Sequence, residues 1–208
     1  MLTAAVAART DLSGGVATGY AQQLGPGLRV VPGHLSAEQG AGISDWTPLA
    51  RDLASPGQLV VCDVGRIHAA SPSLPLAAVA DVVVVVARGD VGAVIHLRER
   101  LARLVGVLAE ARGVPPVVIP VLVVPRRQGP VHAAQLLAMI ADSPVGSVVN
   151  RVGWLAWDPA AVASLESGVL PPRSALARSA RTVVDQLRDA TATTPAGRVR
   201  VRPGGERT

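Results

Sequence analysis

No lysine occurs anywhere in the 208 residues, so all twenty basic side chains are arginine. That absence excludes a lysine Schiff base, the lysine of a G-x-x-x-x-G-K-[ST] phosphate loop and the lysine partner of a receiver-type aspartate. Phenylalanine is also missing and only one tyrosine is present, so the core has to be filled by Ala, Val and Leu rather than by rings. A single cysteine, Cys62, excludes an intramolecular disulfide, and its place in an apolar run marks it as a small buried hydrophobe. The longest apolar runs, Val82 to Ala87 and Val117 to Val124, fall far short of the ~20 residues a membrane-spanning helix needs. The first nine residues carry no charged leader ahead of their apolar part, so no signal peptide is expected and a cytoplasmic setting fits.

What is present is a body that is 49% hydrophobic and 17% charged, enough apolar surface for one sizeable core. One α/β domain over residues 1–190 is expected, followed by a flexible, disordered Arg-rich tail over 191–208. The formal charge of +5 owes much to Arg198, Arg200, Arg202 and Arg207 in that tail. His34, His68, His96 and His132 are irregularly spaced without carboxylate or thiol companions, which argues against a metal site. No G-x-S-x-G elbow is found, and Ser13-Gly14-Gly15 does not make one.

The order of elements reads as alternating strand and helix. Residues 1–8 favour helix, 11–19 a Gly/Ser/Asp loop, and Leu28 to Val31 a short strand. Ser36 with Gln39 forms a capping box for a helix running to Ala54, weakened at Pro48. Two all-apolar strands come next, Leu59 to Gly65 (LVVCDVG) and Asp81 to Ala87 (DVVVVVA), with a short helix near Leu74 to Val79 between them. Apolar residues from Val91 to Leu108 recur every three or four positions, giving an amphipathic helix that Gly113 ends. Then come a strand at Val117 to Val124, a helix at Val131 to Ala141, a strand at Val152 to Ala156, a helix capped by Asp158 through Glu166, and a closing helix from Ser174 to Asp189. Such alternation predicts a doubly wound, mostly parallel α/β sheet of Rossmann-like type.

LVVCDVG, the Ser71-Pro72 connection, ADVVVVVAR at 80–88 and the helix after it resemble the second half of the ParA/MinD-type partition and positioning NTPases. Leu28 to Gln39 looks like the strand and loop that precede this pair in actinobacterial members. Asp158-Pro159 after Gly-Trp-Leu-Ala-Trp, with Pro172 to Ser179 opening the last helix, is similar to the family's C-terminal pattern. The resemblance implies a SIMIBI-type P-loop NTPase fold, N-terminally incomplete. Asp63 would bond a Mg²⁺-bound water near a γ-phosphate and Gly65 would move as a switch. The residues alone favour the plainer reading, in which Asp63 ends a strand and Gly65 makes a turn.

The family's opening strand, Gly-rich phosphate loop, helix and second strand have no counterpart within these residues, and Pro125-Arg126-Arg127-Gln128 stands where relatives read adenine. Hence no catalytic or metal-binding residues are expected. ATP-Mg²⁺ would be a cofactor only together with an upstream phosphate loop, and ATP hydrolysis is not expected of these residues alone. Two roles remain open: a partitioning or cell-positioning protein of the ParA/MinD-like class, or a non-enzymatic dimerisation or regulatory module on a degenerate NTPase fold. Partners expected are another protein or a second copy, with weak, non-specific nucleic-acid contact through Arg126, Arg127 and the tail. The apolar stripe of the closing helix, Leu176, Ala180, Val183, Val184 and Leu187, suits packing on the sheet better than lying on a membrane.

Overall fold

In the computed structural model, the described residues are 2–10, 15–25, 27–33, 43–55, 59–68, 70–114 and 117–193. The expected capping box at Ser36, His34, Gly14 and the Arg-rich tail from residue 194 lie outside them. The fold is mixed α/β, and its contacts divide it into two compact units, Met1–Ala80 and Asp81–Thr208.

In the first unit, helix α1 (Leu2–Thr10) packs through Ala4, Ala5 and Ala8 on a core that includes Ala17, Ile43, Trp46, Leu49, Ala50 and Leu76. Small α1 residues let the backbones approach, and Trp46 supplies the bulk that the composition otherwise withholds. A 3-10 helix (Val16–Tyr20) leads into a hairpin of β1 (Gln22–Gly25) and β2 (Leu28–Val30), turned by Gly27 at φ +73°. The Leu28 strand is therefore antiparallel in a hairpin and not a member of the parallel sheet. Helix α2 (Thr47–Leu53) starts with Pro48 in its first turn, where the missing N–H costs nothing, so Pro48 begins this helix rather than weakening one. Helix α3 (Leu74–Val79) forms where expected.

Leu59 to Gly65 departs from expectation. Its backbone belongs to no strand among the described residues, and Leu59 and Val61 are 95% and 88% exposed. Cys62 is exposed too, not buried. Apolar composition gives this segment the preference for extended backbone, but a strand exists only through a neighbour's hydrogen bonds, and no neighbour among the described residues supplies them.

The second unit is the parallel sheet, in the order β3 (Val82–Arg88), β4 (Val117–Val124), β5 (Gly153–Ala156). Helix α4 (Val91–Arg112) joins β3 to β4, α5 (Gly129–Ala141) joins β4 to β5, and α6 (Pro159–Glu166) and α7 (Ala175–Thr193) come after β5. Asp90 caps α4 by accepting from Ala93 N–H at 2.9 Å, and Gly113 at φ +79° ends it. The α7 residues Val183 and Ala190 cluster with Ile119 and Val121 of β4, so the closing helix packs on the sheet.

Hydrogen bonds at the strand ends fix which backbone groups face which neighbour. Gly89 N–H donates to Val123 O, and Trp157 N–H donates to Val124 O. Carbonyls of β4 therefore alternate, odd residues toward β3 and even ones toward β5. Pro120, paired with Val85 within the central strand, faces the β5 side. The β5 register begins one residue later, with Gly153 opposite Val121, so the donor that proline lacks falls where β5 has not yet started.

Candidate functional site

The carboxyl ends of parallel strands are where α/β sheets hold ligands. Here that edge is made by the residues just past Arg88, Val124 and Ala156. After β3, Arg88 Nε lies 3.3 Å from Asp90 Oδ2, both side chains well exposed. An exposed pair of this kind contributes little to stability but holds the guanidinium near the strand end. After β4, Pro125, Arg126, Arg127 and Gln128 line an open concavity and are all exposed. After β5, Trp157 is 63% exposed.

Asp158, next in the chain, does more than the expected capping of α6. Its Oδ1 accepts from Ala161 N–H at 3.2 Å, while Oδ2 accepts from Ala175 N–H at 3.0 Å and Leu176 N–H at 3.4 Å at the start of α7. Those backbone donors, Ala161 first, hold its pKa below the ordinary carboxylate value, with Arg178 adding a smaller pull in the same direction. One carboxylate thus serves two helix N-termini. Ser179 adds a second tie, accepting from Ala156 N–H at 2.9 Å.

Asp63 and Gly65 lie in the first unit, on the extended segment. The Asp63 carboxylate accepts from Gly65 N–H at 2.9 Å, and Gly65 takes φ +62°. This is a local Asx turn with the glycine in the left-handed region. Neither residue ends a strand of the parallel sheet.

A carboxylate the sequence did not single out is Asp52. It is buried, at 7% exposure, and accepts from Val16 N–H at 2.8 Å and Ala17 N–H at 2.7 Å. It closes the start of the 3-10 helix, a structural task, and its partners lie too far away in sequence for any motif to have announced them.

No family model, curated protein or solved structure matches this chain. Among the described residues no cluster of His, Cys, Asp or Glu has the makings of a metal site, and no helix is long and apolar enough to cross a membrane. Chemically, the carboxyl edge offers exposed guanidinium groups that attract anions and one exposed indole that offers a stacking face.

Proposed function

We propose that this chain is a protein-association module on a ParA/MinD-like α/β scaffold of the SIMIBI type, serving partitioning or cell positioning without hydrolysing ATP within its own residues. One observation carries the association half. β3 lies at the border of the parallel sheet, pairs among the described residues with β4 alone, and leaves Val84 and Val86 39% and 59% exposed. A long apolar border strand is a template for another polypeptide. The family half rests on the order of LVVCDVG, ADVVVVVAR and Trp-Asp-Pro along the chain.

Calorimetric titration of the 208-residue protein with ATP-Mg²⁺ tests the reading. No heat of binding is expected up to millimolar nucleotide, whereas saturable micromolar binding overturns it. Depletion in the cells that encode the protein is expected to disturb chromosome segregation or septum placement. Normal behaviour of both removes the partitioning assignment.

A further inference from the structure

The outer face of α5 is unlike those of α4 and α7. α4 shows Arg98, Glu99, Arg103 and Glu110 to solvent and α7 shows Arg178, Arg181, Asp185 and Arg188, whereas Gly129–Ala141 contains no charged residue. Its core side is Ala133, Leu136 and Ile140. Opposite them Val131, Ala134, Gln135, Ala138 and Met139 are exposed at three- and four-residue spacing, Val131 by 56% and Met139 by 42%. A helix apolar on both sides calls for a neighbour on both. The charges that bracket it, Arg127 one turn before Val131 and Asp142 one turn after Ala138, are exposed and extend the same stripe. Among the described residues neither has an ion-pair partner. They also stand the wrong way round, because a cation at the amino end of a helix and an anion at its carboxyl end both oppose the helix dipole.

We propose that this face is a homodimer interface, in which α5 of one copy packs antiparallel on α5 of a second. Three features select a second copy. A two-fold axis midway between Ala134 and Gln135 brings Arg127 level with Asp142 of the second copy at both ends, and sets each charge beside the helix end that its sign suits. Parallel packing would set like charge on like. The same axis places Val131 against Ala138 of the second copy, large on small, and the short side chains of Ala134 and Ala138 let the backbones approach. Gln135, the one polar side chain on the stripe, falls beside its own counterpart. Its amide carries both donor and acceptor, so a second copy satisfies it where an apolar partner would leave it unpaired. None of these residues lies on β3, so the proposal goes beyond the association reading above and does not rest on that strand.

A helix pair about 20 Å long makes a small interface, so sedimentation equilibrium of the full chain is expected to show a reversible dimer of micromolar Kd. Arg127→Asp and Asp142→Arg each bring like charges together at both ends and should weaken the dimer about three- to tenfold. The double variant restores opposite charges with their signs exchanged, and should recover most of that loss.

Ala138→Glu places a carboxylate opposite Val131 on the exposed side of the helix and should weaken dimerisation roughly tenfold or more. Helical content by circular dichroism checks that each variant folds. A chain that is monomeric to high micromolar concentration, a dimer indifferent to Ala138→Glu, or a double charge variant no stronger than the weaker single one overturns the proposal. The association reading at β3 outlives that result if the ATP-Mg²⁺ titration is silent, and falls on its own if the titration saturates.

Discussion

The indole of Trp154 on β5 occupies the space that a Cβ on Gly129 would need. Gly129 opens α5 and is buried, so the helix start lies against the ring with no side chain between. Gly129→Ala is expected to cost about 1–3 kcal/mol through overpacking. Urea unfolding monitored by tryptophan fluorescence measures it. Gly92→Ala, whose new methyl would meet only ordinary contact with the Asp90 carboxylate, is the control.

Asp52→Ala strips Val16 and Ala17 of their shared acceptor and leaves two N–H groups at a buried site. Each orphaned donor costs roughly 1–3 kcal/mol, so the first unit should be markedly weakened. Hydrogen exchange is expected to quicken at the amides of residues 16 and 17 and across α2, while β4 in the second unit keeps its protection. Equal loss in both units would contradict a local role.

Asp158 gives a pH signature. Its folded-state pKa is depressed, so its contribution to stability is fully present above the unfolded carboxylate value, about 3.9, and is lost as pH falls through the lower folded value. The wild type should therefore lose more in melting temperature between pH 5 and pH 3 than Asp158→Asn does. At neutral pH the variant should already melt several degrees lower, because its amide is a weaker acceptor for the N-termini of α6 and α7. Parallel melting curves at all pH values would show that the carboxylate charge is not what holds the two helices.

Cys62 should react in the native protein, since the residue is exposed. Surrounding chain nonetheless pushes its thiol pKa up by desolvation. Labelling with a disulfide reagent is expected to go to completion without denaturant, with a pH midpoint above that of free cysteine. A thiol that reacts only after unfolding would return Cys62 to the core expected from its apolar neighbours.

The second unit was largely legible in the sequence. Asp90 and Gly113 bracket α4 with a cap and a left-handed stop, and Leu97, Leu101, Leu104, Val105 and Leu108 are buried at the expected spacing, whereas Val91 and Ile95 of the same expected stripe are exposed. Valine runs pointed to β3 and β4, and the short apolar Gly-Trp-Leu-Ala stretch to β5, because each signal is local. The first unit was not legible in the same way. LVVCDVG has the composition of a buried strand, but composition cannot say whether another strand lies beside it. The hairpin of β1 and β2 was missed because Gln22-Gln23-Leu24-Gly25 lacks both alternation and β-branched residues. Of the candidate site, the Asx turn at Asp63 and Gly65 is the local outcome of an Asp two residues ahead of a Gly. Asp52 holding Val16 and Ala17, and Asp158 reaching α7, are long-range pairings that only folding discloses.

Pro120 has a further consequence for how the sheet assembles. Backbone hydrogen bonds between parallel strands can be remade after a slip of two residues, which keeps every side chain on its own face, so pairing alone does not fix where Gly153–Ala156 stands along β4. Along the β5 side of β4, proline breaks that degeneracy. A strand that slid two residues toward the amino end of β4 would meet a position with no proton to give. A single imino acid thus works as an alignment stop, and Pro120→Val should leave β4 in place while letting β5 sample shifted pairings.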